Sequence, residues 1–156
     1  VSDLKGNTLV LFNYVEKHGE PLFDLINKSI GDTKKVFFVH GGVEASEREE
    51  IRRLAEVNDN CVIIASYGTF STGINIKNLH NIIFASPSKS RIRNLQSIGR
   101  VLRKGDNKAQ AVLYDIADDF SRGSYINYTL NHLKERIKVY NEEQFNYEII
   151  PVNIKK

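Results

Sequence analysis

The order of apolar segments along the chain predicts an α/β fold: a parallel sheet flanked by helices on both faces, followed by a C-terminal helical extension. Three observations carry the prediction. Short runs such as Val36-Phe37-Phe38-Val39 and Val62-Ile63-Ile64-Ala65 are apolar at every position, as strands are when helices cover both faces of their sheet. Longer stretches between them carry apolar residues three or four apart, the period of a helix with one buried side. Loops rich in glycine, asparagine and hydroxyl groups follow the strands at Asn13 to Glu16, His40 to Gly42 and Ser66 to Gly73. Right-handed crossovers would gather those loops at the carboxyl edge of the sheet, where open α/β folds hold their ligands.

The elements follow in order. Thr8 to Asn13 reads as a strand, and Val15 to Ile30 as a helix with Leu22, Leu25, Ile26 and Ile30 on its apolar side and Gly31 as its stop. Val36 to Val39 is the next strand, ending at His40-Gly41-Gly42. A charged helix then opens at Glu44 or Ser46 and runs through about Val57 to the turn Asn58-Asp59-Asn60. Strand Cys61 to Ala65, the loop to Asn75, strand Asn81 to Ala85, a helix from about Ser90 to Arg103 and strand Ala109 to Asp115 complete the alternation. Beyond Asp119 the pattern changes to one long helix, Tyr125 to Tyr140, and a short strand, Tyr147 to Val152. Residues 1–120 are expected to form the α/β unit and residues 121–156 an extension packed on it.

At 156 residues, 41% of them apolar, the chain has the size of one domain and enough material for a core. The formal net charge of +3 is small, so any contact with nucleic acid must rest on local clusters of Lys and Arg. Cys61 is the lone cysteine, and its place in an apolar strand suits a small buried hydrophobe in a reducing compartment. Four scattered histidines and one cysteine offer no ligand set for a metal. No run approaches the roughly 20 apolar residues that span a bilayer, and Val1 to Lys5 opens no signal peptide; a soluble, cytoplasmic protein with no membrane partner is expected. The chain begins at Val1 without an initiator methionine, close before a strand, which reads as processing or as a piece of something longer.

The chemistry concentrates in Gln96-Ser97-Ile98-Gly99-Arg100-Val101-Leu102-Arg103, the pattern QxxGRxxR. At 3.6 residues per turn Arg93, Gln96, Arg100 and Arg103 share one side of a helix, and Leu95, Ile98 and Leu102 lie roughly opposite. Arginine suits phosphate recognition because its planar fork stays charged and meets two oxygens at once. By itself such a stripe is equally an ordinary solvated helix face. Upstream, Ala65-Ser66-Tyr67-Gly68-Thr69-Phe70-Ser71-Thr72-Gly73-Ile74-Asn75-Ile76 places a small, hydroxyl-rich loop after an apolar strand.

Together the two segments resemble motifs VI and V of the superfamily 2 helicases, in the order and separation of that family's second RecA-like domain. The resemblance covers about Leu4 to Asp119 and implies a RecA-like parallel sheet, the P-loop NTPase helicase domain 2. It implies that Arg103 is an arginine finger for the γ-phosphate of ATP, that Arg100 supports the phosphates or the interdomain contact, and that Gln96 orients nearby polar groups. It also implies that Gly73 and Asn75 face the nucleotide, while Ser66, Tyr67 and Thr69 face nucleic acid. Asn75 stands where many relatives have Asp, and the spacing from Ser66 to Gly73 is one residue longer than is commonest. Leu9-Val10-Leu11-Phe12-Asn13-Tyr14 is similar to motif IV and Val39-His40-Gly41-Gly42 to the family's His-Gly segment, adding Asn13, Tyr14, His40, Gly41 and Gly42 as contacts to single-stranded DNA. For His40 a hydrogen-bonded turn residue is an equal reading.

No G-x-x-x-x-G-K-[ST] segment is present, and no Asp-Glu pair follows an apolar strand. Ala111 to Asp115 has the outline of an acidic magnesium box, but it comes after motif VI, so a core strand ending in a capped turn is expected. The resemblance therefore implies that ATP and Mg2+ are bound jointly with a separate N-terminal RecA-like domain, and that this chain alone is inactive. The whole is expected to be an ATP-dependent DNA helicase or translocase acting on single-stranded and branched DNA in recombination, replication and repair. A non-catalytic nucleic-acid-binding or interaction module of helicase-derived fold is the alternative. A Rossmann-like enzyme is disfavoured because no G-x-G-x-x-G follows the first strand.

Overall fold

A computed structural model of the chain describes residues 1–71, 76, 78–86, 111–121, 123 and 127–153. The elements are β1 (Thr8–Phe12), a π-helical turn (Val15–Gly19), α1 (Glu20–Ile30), a 3-10 turn (Gly31–Thr33), β2 (Lys35–Val39), α2 (Ala45–Val57), β3 (Cys61–Ser66), α3 (Tyr67–Ser71), β4 (Asn81–Phe84), β5 (Val112–Asp115) and α4 (Tyr128–Glu142). The strands form one sheet in the order β2-β3-β1-β4-β5, and every pairing is parallel. Central strands β1, β3 and β4 are buried along almost their whole length, which is why their sequences carry no polar alternation.

Each face has its own core. Val10, Phe12, Val62, Ile64 and Ile83 pack against Ile26 and Ile30 of α1. On the other face Leu9, Leu11, Ile63, Ala65, Ile82 and Phe84 pack with Ile51 and Ala55 of α2 and with Val139 and Tyr140 of α4. The steps from β1 outward to β2 and from β2 back to β3 run in opposite directions across the sheet. Right-handed crossovers then require α1 and α2 on opposite faces, as they are.

Several expectations are corrected. The helix expected over Val15 to Ile30 begins as a π-helical turn, with the N–H of Gly19 donating to the Tyr14 carbonyl at 3.0 Å. Gly19 lies so close to the Phe12 ring that an added Cβ would sit 2.6 Å from it, so the chain must bulge there before α1 can start. Leu25 is 66% exposed; the buried side of α1 is Ile26 and Ile30. The strand expected at Ala109 to Asp115 is described as β5 and lies at the sheet's edge, half-exposed. Tyr147 to Val152 form no strand. Pro151 has no N–H to donate, and Ile149, Ile150 and Val152 stand in solvent, so nothing supplies the ladder a strand needs. The helix expected from Ser90 to Arg103 lies outside the described residues. No helix among the described residues is long and apolar enough to cross a membrane.

The amino edge of the sheet is tied together by Asn7, which is fully buried. Its Nδ2 donates to the carbonyls of Ala55 and Asn58 at 2.7 Å and of Asn78 at 2.9 Å. Its Oδ1 accepts the N–H of Cys61 at 2.9 Å, and its backbone N–H donates to His80 Nδ1 at 3.1 Å. Gly6 makes this approach possible: its φ of +81° and the His80 ring, 2.4 Å from where a Cβ would stand, both exclude a side chain. Asn7→Ala strands several buried polar groups and should cost about 3 kcal/mol in urea unfolding. Cys61 reports on the same event. It is wholly buried and burial pushes its thiol pKa up, so a thiol reagent should label it only on opening, and faster in the variant.

The last helix is held by an ion pair. Arg136 Nε and NH2 reach the two carboxylate oxygens of Asp115 at 2.7 and 2.8 Å, and the Tyr140 hydroxyl donates to the same carboxylate at 2.7 Å. The side chains of Arg136 and Asp115 are 2% and 10% exposed. Asp115→Ala leaves a buried guanidinium unpaired and should destabilise the fold by about 3–5 kcal/mol. Burial, then the Asp115 charge, hold the Tyr140 phenol far above the ordinary tyrosine range. Because its folded value is the raised one, its contribution is complete below about pH 10 and is lost as alkali ionises the unfolded chain. Spectrophotometric titration should therefore show Tyr140 ionising only with unfolding, and Tyr140→Phe should remove one tyrosine from the fraction whose ionisation is linked to unfolding.

Candidate functional site

At the carboxyl edge of the sheet, neighbouring strands send the chain to opposite faces. Phe12 at the end of β1 pairs with Ser66 at the end of β3. After Phe12 the chain turns toward the α1 face; after Ser66 it turns toward the α2 face, where Tyr67, Ile76 and Leu79 are buried. The two loops leave neighbouring strands toward opposite faces, so the topological switch point, the crevice at which open α/β sheets bind ligands, falls between β1 and β3.

The structure brings several expected residues to this edge and gives each a definite task. Asn13 bridges to the loop after β4: its backbone N–H donates to Ser86 Oγ at 2.9 Å and its side-chain amide donates to the Ser86 carbonyl. Tyr14 is 63% exposed and meets the edge of His18 at a ring-centroid distance of 5.3 Å. Ser66 Oγ accepts the N–H of Thr69 at 3.3 Å and shares a 2.8 Å hydrogen bond with the Thr69 hydroxyl, so Ser66 caps α3 in the manner of a helix-starting serine. His40 Nδ1 accepts the N–H of Gly42 at 3.2 Å, which leaves the proton of the neutral ring on Nε2, and the ring packs on Phe38 at 5.1 Å. Gly41 and Gly42 are exposed. A Cβ on Gly42 would come 3.0 Å from the His40 ring, so glycine keeps this turn tight.

Tyr67 requires a correction. Its side chain is 1% exposed and packs on Phe84 in the core of the α2 face, so it offers no ring to a ligand. Thr69, at 4%, is turned inward toward Ser66. The sequence places this aromatic residue in a loop just past a buried strand, whereas it is the first residue of a helix packed on the sheet. Gly73, Asn75, Gln96, Arg100 and Arg103, with Arg93, lie outside the described residues.

Sequence reasoning missed Asn7, His18, His80 and Ser86. Gly6-Asn7 directly before an apolar strand and Asn78 to Asn81 before another were available signals of polar groups gathered at strand starts. Ser86 and His18 had none, since their roles depend on neighbours 73 residues away for Ser86 and on the π-helical turn for His18. Asp115, which had the outline of an acidic box, is engaged by Arg136 and Tyr140. No three His, Cys, Asp or Glu side chains among the described residues converge on a metal position.

The helicase conserved C-terminal domain family matches residues 2–105. The ATP-dependent DNA helicase UvsW of Enterobacteria phage T4 is 40% identical over 158 aligned residues, which take in 95% of this chain and 31% of that helicase. The chain thus spans under a third of the length of the curated relative it matches. Among solved structures, the C-terminal domain of the DEAD-box protein Dbp5 superposes with a TM-score of 0.64 over 90% of this chain and 73% of that one, at 17% identity. Domain 2 of the DEAD-box helicase Mss116p, in a structure bound to an RNA duplex, does so with a TM-score of 0.59 over 73% of this chain and 43% of that one, at 14% identity. At such identities these two speak for the fold, a RecA-like helicase C-terminal domain.

Proposed function

Since this chain belongs to the helicase conserved C-terminal domain family, we propose that it is the second motor domain of an ATP-dependent DNA helicase or translocase that remodels branched DNA in recombination, replication and repair. The observation that carries the reading is the 40% identity with UvsW over 95% of the chain. In particular the runs ASYGTFSTGINIKNLHNIIFASPSKS and QSIGRVLRKGD hold the groups the reaction needs. The switch point between the ends of β1 and β3 supports it, as the position at which open α/β sheets bind ligands.

In this reading ATP lies between this domain and an N-terminal RecA-like partner, which supplies the phosphate loop and the acidic residues for Mg2+. Gly73 and Asn75 face the nucleotide. Arg103, with Arg100 and Gln96, stabilises the charge that develops on the transferring phosphoryl oxygens, an effect worth roughly 10³ to 10⁵ in rate where such fingers are known. Asn13, Tyr14, His40, Gly41, Gly42 and the Ser66 loop contact the nucleic-acid strand. The cytoplasm of an infected bacterium is the setting that a phage relative suggests.

In the full-length protein Arg103→Ala should lower DNA-stimulated ATP hydrolysis by at least ~10³-fold while leaving DNA binding intact. Arg93→Ala should change turnover little. Hydrolysis at the wild-type rate by the Arg103 variant would refute the assignment. The 156-residue chain by itself should hydrolyse no ATP, since half of the site belongs to the partner domain. Its DNA binding should be weak and fall steeply with salt, as counterion release dictates; tight binding that ignores salt would indicate a dedicated recognition module.

A further inference from the structure

Tyr14 is the large aromatic side chain that the β1 loop holds in solvent beside the crevice, 63% exposed. Its position is built. The Tyr14 carbonyl accepts both the His18 N–H at 2.9 Å and the Gly19 N–H at 3.0 Å, and the resulting π-helical turn brings the His18 ring edge-on to the Tyr14 ring. Turns of this kind insert one residue into a helix and re-aim side chains. Buried His18 Nδ1 has no hydrogen-bond partner among the described residues, so ring contact and packing orient the imidazole. Gly19, the next residue, rests on Phe12 and Phe38, and Phe38 in turn carries His40. Tyr14 thus leads outward at the carboxyl edge of the sheet, with the exposed Lys17 on the same turn.

An exposed π-face backed by a fixed ring, next to a cation, is the arrangement that holds an unpaired base: stacking supplies affinity and the cation meets the phosphate. Resting on the reading of this domain as part of a DNA motor, we infer that Tyr14, braced by His18, is a stacking platform for an unpaired base of single-stranded DNA.

The test uses full-length protein and an oligothymidine strand carrying one 2-aminopurine, whose fluorescence falls when it stacks. Wild-type protein should bind and quench it. Tyr14→Ala should weaken binding by about tenfold, within the range reported for losing one base–aromatic stack. It should also abolish the quench and leave the slope of log affinity against log salt unchanged, because tyrosine carries no charge and its loss changes no counterion release. Tyr14→Phe should retain affinity and quench. At 63% exposure neither substitution opens a cavity, and circular dichroism checks the fold. Wild-type affinity and quenching in Tyr14→Ala would overturn the inference while leaving the functional reading in place. So would a Tyr14→Phe defect equal to that of Tyr14→Ala, which would assign the effect to the hydroxyl. Failure of the wild-type protein to bind single strands at all would refute both this inference and the functional reading beneath it.

Discussion

One side-chain amide holds the amino edge of this sheet. A parallel sheet needs its strands to start in register although each arrives from a different crossover, and backbone ladders alone leave the incoming loops with unpaired polar groups. Asn7 meets that demand at a single point. It ties the start of β1 to the start of β3 through the Cys61 N–H, to the end of α2 through Ala55 and Asn58, and to the approach of β4 through Asn78 and His80. Two amide hydrogens serve three carbonyls, so the acceptors must crowd to one side of the residue, and the absent side chain at Gly6 makes room for that crowding.

The two edges of the sheet divide the labour. At the amino edge, polar groups are spent on one another and the structure is fixed. At the carboxyl edge, the hydroxyls of Ser66 and Thr69 and the amide of Asn13 also have local partners, yet Tyr14, Gly41 and Gly42 remain in solvent. The proposed closure against a second domain would call for this combination of loops with pinned bases and exposed tips. The helices on opposite faces produce it without special provision, because the crevice follows from the direction in which successive crossovers leave the sheet.

The architecture was legible because burial on both faces writes itself into the sequence. Val62 to Ala65 and Ile82 to Phe84 admit no polar residue, and the alternation of such runs with helical periods leaves few topologies to choose among. The family was legible for a different reason: Gln96 to Arg103 and Ala65 to Ile76 resemble motifs VI and V of the superfamily 2 helicases. The errors came from features that are not local. Leu25 fits a helical period counted from Leu22, but Leu22, Ile26 and Ile30, four apart, form the side of α1 that packs on the sheet and leave Leu25 outside it. Tyr67 and Thr69 sit in a polar-looking loop sequence, yet α3 folds them onto Phe84 and Ser66. Tyr147 to Val152 has the composition of a strand but no edge to join. Composition reports what a segment prefers, whereas pairing depends on what tertiary structure places beside it.

The clamp between Asp115 and Arg136 has a meaning for a chain made from its N-terminus onward. The partners are 21 residues apart, so when β5 leaves the ribosome its terminal carboxylate has nothing to meet, and Leu113 has no Val139 or Tyr140 to complete its face of the core. The sheet can assemble through β4, its edge strand joining only provisionally. Completion waits for α4 to emerge, and an edge strand is thereby secured by a helix synthesised after it.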